Sequence, residues 1–303
     1  MRMKQFDLNL LVALDALLSV KNTTHAGRRI NRSQPAMSSA LSRLRDHFED
    51  DLLTQVGRNL VPTPLGESLA AQVRDVLTRA EATLDARSVF NPDKAHRQFK
   101  LMMSDFVSTV LMSQVVQRAA AIAPGVGFDI LPHEILPWES IEHGETELLI
   151  MPQEYLPEGL PREVLFTEQY VCVTWRENPL VGDTISEAQY LKLGHVLSRP
   201  GSHPQRRISA DERYFEQSGQ SRSIEVVVSE FGNIPHYLIG TERIATMHGR
   251  LARLYARFMP LKILPLPLPV PALHEATCWH PHRERDPGLR WLRELIKETA
   301  ATL

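Results

Sequence analysis

The segment at residues 33–48 constrains the fold more than any other part of the chain. Ser33 is a good helix N-cap, and Pro35 falls in the first turn, where its missing N–H costs nothing. Apolar residues then recur at steps of three and four, namely Met37, Ala40, Leu41, Leu44 and Phe48. This spacing predicts a helix that buries one narrow stripe and leaves a separate polar face outward.

The outward face of this helix consists of small and amide-bearing residues with one arginine, namely Gln34, Ser38, Ser39, Ser42 and Arg45. Short side chains allow close approach to a partner, and the Gln34 amide offers both a donor and an acceptor. The segment 22–45 contains five arginines and no Asp or Glu, although the whole chain has 34 Lys or Arg against 36 Asp or Glu. Such a local positive surface indicates a polyanionic partner, and a helix of this kind fits the major groove of DNA.

The flanking sequence extends this helix into a helix-turn-helix with a wing. A short helical pattern precedes it, and Asn31 suits the left-handed position between the two. Residues 52–56 and 60–62 predict two strands joined by a turn that carries Arg58 at its tip. The alternative is an ordinary helical hairpin with a solvated basic face. The predicted DNA contacts are Arg32, Ser33, Gln34, Pro35, Ser38, Ser39, Ser42, Arg43, Arg45, Arg58 and Thr63.

A further long helix is predicted from Pro64 to about Arg87. Its apolar residues alternate steps of four and three along Leu65, Leu69, Val73, Val76, Ala80 and Leu84. This narrow stripe is typical of a two-helix coiled coil and predicts that two chains pair through it. The alternative is a helix that packs on its own domain.

After residue 91 the chain changes to alternating strands and helices. Three strand patterns alternate with helical patterns over residues 99–151, which predicts a parallel sheet covered by helices. A second series follows residues 162–175, which we expect to cross into another lobe. The proline-rich segment 264–271 lacks ladder donors, so it is predicted to be an edge or a crossover back to the first lobe.

Several motifs together give the chain a family resemblance. They are Asp7-Leu8-Asn9-Leu10-Leu11, Ser33-Gln34-Pro35-Ala36-Met37-Ser38, Arg43-Leu44-Arg45, Pro62-Thr63-Pro64, the segments 224–228, 240–247 and 264–269, Asp286-Pro287, and Trp291-Leu292-Arg293. With these motifs the chain resembles the LysR-type transcriptional regulators over essentially its whole length. The later motifs resemble the branch that contains the nodulation-gene activators and the regulators of nitroaromatic and phenolic degradation.

The resemblance implies an α/β protein with three parts. These are a winged helix-turn-helix DNA-binding domain at 1–63, a linker helix for dimerisation at 64–90, and a two-lobed, periplasmic-binding-protein-like effector domain at 91–303. Lobe I would comprise about 95–165 and 268–303, and lobe II about 166–267. The implied function is transcriptional activation by a homodimer or homotetramer that binds double-stranded promoter DNA and a small phenolic, nitroaromatic or flavonoid effector.

Two residues depart from the family's pattern. Ser39 occupies a position of the recognition helix where many members have Arg, so the base preference of a distant relative does not transfer. Gly27 stands where Ala is usual, and a glycine there is expected to weaken the short helix by up to about 1 kcal/mol.

Candidate effector contacts follow from their expected positions at strand ends, where ligands bind in open α/β sheets. They are Ser104, Asp105, Phe106, His133, Met151, Ser202, His203, Phe231, Ile234 and Met247. Phe106, Phe231 and Met151 are expected to sandwich an aromatic ring, while serine and histidine side chains orient its polar groups. Taken singly, each of these residue types more often serves as a cap or a core residue.

Other functional classes find little support in the sequence. Cys172 and Cys278 lie far apart without a surrounding motif, which fits a reducing cytoplasm and indicates neither a disulfide framework nor a zinc site. A row formed by Cys278, His280 and His282 on a strand would be too widely spaced for compact tetrahedral coordination, so no metal is expected. We find no cofactor fingerprint, catalytic motif or membrane-length apolar run.

The remaining alternatives are an enzyme or a solute-binding protein that uses the same two-lobed fold. Neither explains the basic helix at 34–45 or the wing that follows it. The sequence therefore favours a regulator that needs no cofactor and performs no catalysis.

Overall fold

The computed structural model describes residues 6–56, 59–84, 90–133, 137–142, 144–199 and 209–303. The chain divides into two compact units, one formed by residues 1–86 with 142–144 and the other by 87–141 with 145–303. Within the described ranges, no helix combines the length and apolar character needed to cross a membrane.

The described part of the first unit combines four helices with a two-stranded ribbon. The elements are α1 (Asn9–Val20), α2 (Thr23–Arg29), α3 (Gln34–Phe48), β1 (Leu53–Val56), β2 (Asn59–Pro62) and α4 (Pro64–Leu84). β1 and β2 pair antiparallel, with Leu53 opposite Pro62. This order confirms the predicted winged helix-turn-helix.

α3 buries the stripe predicted from its periodicity. Its buried residues are Met37, Leu41 and Leu44, each at most 6% exposed. The Ser33 side chain caps the helix by accepting a hydrogen bond from the Ala36 backbone N at 3.4 Å. Asn31 has a φ of 54°, which is the left-handed conformation expected before α3. Local sequence therefore determines both the start of α3 and its orientation.

The turn between α2 and α3 depends on Gly27. The backbone N of Arg32 donates to the Gly27 carbonyl oxygen at 2.8 Å. A Cβ atom on residue 27 would lie 2.6 Å from the Arg32 carbonyl oxygen and 3.2 Å from Met37 Cγ. Gly27 thus permits a close approach between α2 and the turn, a role that its expected effect on helix propensity did not include.

α4 divides its apolar residues between two sides. Leu69, Val73 and Leu77 pack on the core of the first unit, where Val73 is only 4% exposed. Leu65 and Val76 remain 37% and 45% exposed. Leu69 and Leu77 each lie four residues from Val73, so the three share the side of α4 that faces the core. The prediction that all the apolar residues of α4 form one intermolecular seam is therefore wrong for Val73.

An ion pair with little solvent exposure fixes α4 to α1. Arg74 Nε donates to Asp15 Oδ1 at 2.8 Å, and Arg74 Nη2 donates to Ser19 Oγ at 2.8 Å. At the start of α4, a Cβ atom on Gly66 would lie 2.3 Å from the Leu52 carbonyl oxygen. The described part of α4 is therefore packed tightly into the first unit.

The second unit begins with the elements of lobe I. They are β3 (Arg97–Met103), α5 (Asp105–Val107), α6 (Ser113–Ile122), β4 (Val126–Leu131), α7 (Pro137–Glu142), β5 (Leu148–Pro152) and β6 (Arg162–Glu168). A π-helical turn at Ser108–Met112 joins α5 to α6. The strands expected over 99–151 are thus present, each shifted by one or two residues at an end.

Lobe II follows, and the chain then returns to lobe I. Lobe II contains β7 (Tyr170–Trp175), α8 (Glu187–Lys192), β8 (Gly194–Ser198), α9 (Ala210–Ser218), β9 (Ser223–Val228), a 3-10 helix at Phe231–Tyr237, β10 (Ile244–His248), α10 (Gly249–Tyr255) and β11 (Leu261–Pro265). The returning elements are β12 (Leu273–Cys278) and α11 (Pro287–Ala300).

Both sheets of the second unit are mixed. The strand order is β4-β3-β5-β12-β6 in lobe I and β11-β7-β10-β8-β9 in lobe II. β3 is parallel to β4 and β5, whereas β12 is antiparallel to β5 and β6. β7 is likewise antiparallel to β10 and β11. The parallel arrangement predicted for the three strands over 99–151 is confirmed. The sheets become mixed because β7 and β12, which follow the crossings between the lobes, run in the opposite direction.

The chain passes between the lobes twice. β6 ends at Glu168 in the first sheet, and β7 begins at Tyr170 in the second. The edge strand β11 ends at Pro265, and residues 266–272 lead back to β12. The proline-rich segment is therefore an edge followed by a crossover, as predicted. Between the crossings, the carboxyl ends of strands from both lobes face one another in a region that we call the interlobe border.

Candidate functional site

The exposed face of α3 carries most of the residues predicted to contact DNA. The exposed residues are Arg32, Ser33, Gln34, Pro35, Ser38, Ser39 and Ser42. Gln34 Nε2 donates to Ser38 Oγ at 3.1 Å, so the amide is oriented along the helix surface. We call these seven residues the α3 surface. Its short polar side chains suit close approach to base edges.

Two predicted DNA contacts are engaged within the first unit. Arg45 donates to the carbonyl oxygens of Asp51 and Leu53 at 2.8 and 2.6 Å. Thr63 Oγ1 donates to Asp50 Oδ1 at 2.6 Å and caps the N-terminus of α4. Arg45 therefore anchors α3 to β1, and Thr63 anchors α4. DNA contact by Arg45 and Thr63 stays a prediction, and the structure adds that both side chains already hold hydrogen bonds within the first unit.

Arg43 differs from Arg45, although it is only two residues away. Its side chain is 57% exposed, and Nη1 lies 3.7 Å from Asp7 Oδ2. An exposed ion pair of this kind contributes little stability, so Arg43 can exchange it for a phosphate contact. Arg58, which was expected at the tip of the wing, lies outside the described residues.

The structure places several predicted effector contacts in the core. Phe106, Ile234 and Met247 are each at most 1% exposed and belong to one apolar cluster. Met151 belongs to a different cluster, because alternate residues of β5 point to opposite faces of the sheet. The predicted sandwich of Phe106, Phe231 and Met151 therefore does not form. Of these residues, only Phe231 is partly exposed.

Two predicted polar contacts serve the backbone. Ser104 Oγ accepts a hydrogen bond from the Val107 backbone N at 3.2 Å and caps α5. His133 Nε2 lies 2.9 Å from the Ile150 carbonyl oxygen. Ser202 and His203 fall outside the described residues.

Asp105 joins the two lobes. Its Oδ2 accepts a hydrogen bond from the Gly232 backbone N at 2.7 Å. Burial raises the pKa of Asp105, while hydrogen bonds from the Gly232 and Phe231 backbones oppose this effect, and the nearby Glu230 charge reinforces it. Asp105 therefore fastens α5 of lobe I to the 3-10 helix of lobe II.

Five rings from both lobes meet beside this contact. His248 stacks on Phe106 with ring centroids 3.9 Å apart and planes at 8°. Phe231 meets His248 edge-on at 4.5 Å, and Tyr170 lies 5.2 Å from His248. Phe166 meets Phe106 at 6.2 Å. We call these residues the interlobe aromatic cluster, which combines two rings of lobe I with three of lobe II.

Four buried polar atoms near this border have no hydrogen-bond partner among the described residues. They are Ser198 Oγ at the end of β8, Ser209 Oγ before α9, His248 Nδ1 at the end of β10, and Glu275 Oε2 on β12. Leaving such an atom unpaired costs about 1–3 kcal/mol. Each of these atoms is therefore a hydrogen-bonding group that the described residues leave unused.

Burial removes the charge from two of these groups. It raises the pKa of Glu275 to about 8, and the charges of Glu154 and Glu168 raise it further. Burial lowers the pKa of His248 to about 3, against the opposing effect of Asp211. At neutral pH, Glu275 is therefore mainly a carboxylic acid and His248 a neutral imidazole. Both act as uncharged hydrogen-bonding groups.

Sequence reasoning missed Tyr170, Ser198, Ser209 and Glu275. One signal was present, because Glu275 interrupts a strand whose other members include Leu273, Ala276 and Cys278, and buried acids are uncommon. The two serines and Tyr170 gave no local signal, since residues of these types also end strands and cap helices without any function.

Two family descriptions match nearly the whole chain. Residues 8–67 match the bacterial regulatory helix-turn-helix protein, lysR family, and residues 92–301 match the LysR substrate binding domain. Nodulation protein D 2 of Rhizobium tropici is 43% identical over 303 residues, which cover 100% of this chain and 96% of the relative. Nodulation protein D 1 of Bradyrhizobium diazoefficiens is 41% identical with the same coverage of both chains.

Solved structures share the architecture. A probable transcriptional regulator from Pseudomonas aeruginosa is 26% identical, covers 98% of each chain and has a TM-score of 0.66. A full-length OxyR variant from the same organism is 17% identical, covers 98% of this chain and 95% of that chain, and has a TM-score of 0.74, which shows the likeness of the fold. The chain belongs to the LysR family of bacterial helix-turn-helix proteins and is a DNA-binding transcriptional regulator, not an enzyme.

Proposed function

We propose that this regulator activates transcription when a small aromatic effector, such as a phenolic, nitroaromatic or flavonoid compound, binds at the interlobe border. The proposal assigns DNA binding to residues 1–63, pairing of chains to 64–90 and effector binding to 91–303. A regulator of promoters acts in the cytoplasm, where the bacterial chromosome lies. The observation that supports the proposal most directly is the meeting of five rings from both lobes at one border.

An aromatic effector suits this border for a physical reason. The other four rings of the interlobe aromatic cluster are buried against one another and hold Phe231 in place, and a ring such as that of Phe231 makes the edge and face contacts that aromatic ligands prefer. The partly exposed Phe231 provides a ring surface that an effector can cover. The polar atoms of Glu275 and His248 can then fix its orientation. The resemblance to the branch of nodulation-gene activators and phenolic regulators supports the same class of effector.

Binding at this border can change how the lobes sit against each other. Asp105 and Gly232 already hold one arrangement through a hydrogen bond of 2.7 Å. A ligand shifts such an equilibrium only if it binds one arrangement more tightly than another. A tenfold preference corresponds to about 1.4 kcal/mol per site. An effector that contacts both lobes can provide this difference.

On the DNA side, we assign base recognition to the α3 surface and phosphate contact to Arg43. Pairing of chains is assigned to the exposed side of α4, where Leu65 and Val76 are 37% and 45% exposed. The proposal does not use Arg45, Thr63 or Val73, because each is engaged inside the first unit.

The proposal is tested by calorimetric titration of the full-length protein with phenols, nitroaromatics and flavonoids. Phe231→Leu should weaken binding of the compound that binds best by about tenfold, since it removes a ring face. Phe258→Leu makes the same change at a ring that is 67% exposed, and it should have no effect. Basal affinity for promoter DNA should be unchanged in both variants.

Three results would count against the proposal. If no aromatic class binds, the effector assignment is wrong. Equal weakening by Phe231→Leu and Phe258→Leu would place the site elsewhere. Consumption of a bound compound by the purified protein would support the enzyme alternative instead.

A further inference from the structure

The interlobe border contains a buried carboxyl group with one oxygen that has no hydrogen-bond partner among the described residues. This oxygen is Oε2 of Glu275, which is 2% exposed. It lies opposite Pro152, the last residue of β5, and opposite Phe166 of β6. Directly opposed residues point to the same face of a sheet. Glu275 therefore lies on the face of Phe166, whose ring meets that of Phe106 at 6.2 Å.

The charged groups that act on Glu275 from lobe I are acids. Burial raises its pKa, and the charges of Glu154 and Glu168 raise it further. Glu154 lies in the turn after β5, and Glu168 ends β6. Arg250 does not neutralise Glu275, because its Nη1 is shared between Glu168 Oε2 at 3.1 Å and the Thr167 carbonyl oxygen at 2.8 Å.

Lobe II contributes further uncharged or paired groups. Burial raises the pKa of Tyr170, and the charges of Asp211 and Glu275 are among the causes that raise it further. Asp211 is itself paired with Arg222 at 2.8 Å. His248 is neutral at physiological pH, because burial lowers its pKa to about 3. The groups shown to interact with Glu275 are therefore two acids and a phenol, and the arginine beside Glu168 is already paired.

We propose that Glu275 determines which aromatic effectors bind, because it hydrogen-bonds an un-ionised hydroxyl group and excludes effectors that carry a carboxylate. This inference rests on the proposed binding of an aromatic effector at the interlobe border, and it goes further by naming the selecting residue and the selected group. A protonated carboxyl group has one O–H donor and one carbonyl acceptor, and a phenolic hydroxyl complements both.

An effector that carries a carboxylate would be repelled at this place instead of bound. Its charge would lie near Glu154 and Glu168, where burial weakens solvent screening and strengthens repulsion. The Nε of Arg250 has no hydrogen-bond partner among the described residues, but it belongs to a guanidinium already held by Glu168. One donor beside an acid is a poor substitute for the two donors that a carboxylate prefers.

The test compares 4-hydroxyacetophenone with 4-hydroxybenzoate, which share a phenol and differ in an acetyl or a carboxylate group. Binding to the full-length protein is measured by calorimetry at about pH 6 and about pH 9, on either side of the ionisation of Glu275. The flavanone naringenin is included as a larger neutral phenol. Glu275→Gln keeps a neutral side chain at every pH, and Glu158→Gln makes the same change at an exposed acid of lobe I.

We expect the wild-type protein at about pH 6 to bind the neutral phenols at least about tenfold more tightly than 4-hydroxybenzoate. Raising the pH should weaken phenol binding more in the wild type and in Glu158→Gln than in Glu275→Gln. The ionisation of the compound itself is common to all three proteins and does not affect this comparison.

Two results would overturn the selection by Glu275 while leaving the aromatic effector in place. One is wild-type binding of 4-hydroxybenzoate as tight as that of 4-hydroxyacetophenone. The other is an identical pH dependence in the wild type and in Glu275→Gln. Absence of binding by all three compounds and by the wider set of phenols, nitroaromatics and flavonoids overturns both proposals. The wild-type comparison does not depend on how well any variant folds.

Discussion

The α3 surface and the interlobe border differ in how the chain builds them. The α3 surface extends only from Arg32 to Ser42, and its members are exposed because the stripe of Met37, Leu41 and Leu44 is buried. The interlobe border combines residues from Phe106 to Glu275, which lie on different strands and helices. A helix face follows from local periodicity, whereas a border between lobes depends on which strands become neighbours.

The two regions also differ in how closely function is coupled to stability. Substituting an exposed residue of α3 removes few internal contacts, so the effect should appear in DNA binding alone. Phe106, His248 and Glu275 are at most 3% exposed, and substituting any of them also changes the core. Variants of the border therefore need a stability measurement beside every binding measurement.

The largest expected effect concerns α4, where local periodicity alone proved insufficient. Val73→Glu places a charge at a residue that is 4% exposed, and it should cost roughly 3 kcal/mol or more of folding free energy in the first unit. Val76→Glu changes a residue that is 45% exposed and should alter stability by less than about 0.5 kcal/mol. Light scattering should show a lower assembly mass for Val76→Glu, because like charges then oppose each other across the pairing surface.

Thermal unfolding and light scattering of both variants check this pair of expectations. Equal stability of Val73→Glu and the wild type would show that the side of α4 facing the first unit is not a core. An unchanged mass for Val76→Glu would exclude the exposed side of α4 as the pairing surface.

The second expected effect is a pH dependence of folding stability caused by Glu275 at the interlobe border. In the unfolded chain Glu275 ionises near pH 4.3, but in the folded protein its pKa is about 8. Glu275 therefore makes its full contribution to the free energy of unfolding below about pH 4.3, where it is protonated in both states. This contribution is lost as the pH rises towards about 8, because the unfolded chain can ionise the group and the folded protein resists it. Glu275→Gln does not ionise, so it should gain stability relative to the wild type across this window, by roughly 2–4 kcal/mol near pH 7.

Unfolding of the wild type and Glu275→Gln at about pH 5 and about pH 8 measures this difference. Glu158→Gln, at an exposed acid, should show no such trend. A stability difference that stays constant with pH would show that Glu275 is ionised in the folded protein.

The sequence predicted where helices and strands lie better than it predicted which strands pair with each other. The cap at Ser33, the left-handed Asn31 and the buried stripe of α3 depend on residues within one or two turns, and all are present. The antiparallel entry of β12 between β5 and β6 depends on the path of the whole second unit. No pattern within a single strand specifies that pairing.

The same distinction explains the candidate sites. Gln34 and Ser38 were identified because exposure follows from helical spacing. Phe106 was placed correctly after β3, but its ring stacks on His248 inside the core rather than lining an open surface. Position at a strand end predicts where a residue lies along the sheet, but the direction of its side chain depends on what packs beside it.

The third effect tests the α3 surface itself. Gln34→Ala should reduce preference for the cognate site by about 1–3 kcal/mol, the range expected for a side chain that reads a base edge. Ser38→Ala should act in the same direction, because Ser38 Oγ accepts a hydrogen bond from Gln34 and orients it. Gln72→Ala changes an exposed glutamine of α4 and serves as the control.

Competition between cognate and unrelated DNA measures this preference at several salt concentrations. Affinity for both DNAs should fall steeply with salt, since Arg43 and other cations contact phosphates. If Gln34→Ala and Ser38→Ala keep the wild-type preference, α3 does not read bases.

The smallest expected effect is the change in stability caused by Gly27→Ala, for which helix propensity and steric contact predict opposite signs. Helix propensity favours Gly27→Ala by up to about 1 kcal/mol, which was the expectation from sequence. The structure opposes it, because the new Cβ would lie 2.6 Å from the Arg32 carbonyl oxygen and 3.2 Å from Met37 Cγ. The Met37 side chain can adjust, but the oxygen belongs to the backbone of the turn.

Moving that backbone strains the hydrogen bond of 2.8 Å from the Arg32 N to the Gly27 carbonyl oxygen. We therefore expect Gly27→Ala to destabilise the first unit by about 0.5–1.5 kcal/mol and to weaken DNA binding slightly, because the start of α3 follows the turn. Unfolding by denaturant measures the sign directly, and comparing Arg28→Gly with Arg28→Ala gives the cost of a glycine at an exposed position of α2. A more stable Gly27→Ala protein would mean that propensity outweighs the contact, and that even the turn before α3 can be interpreted from local sequence alone.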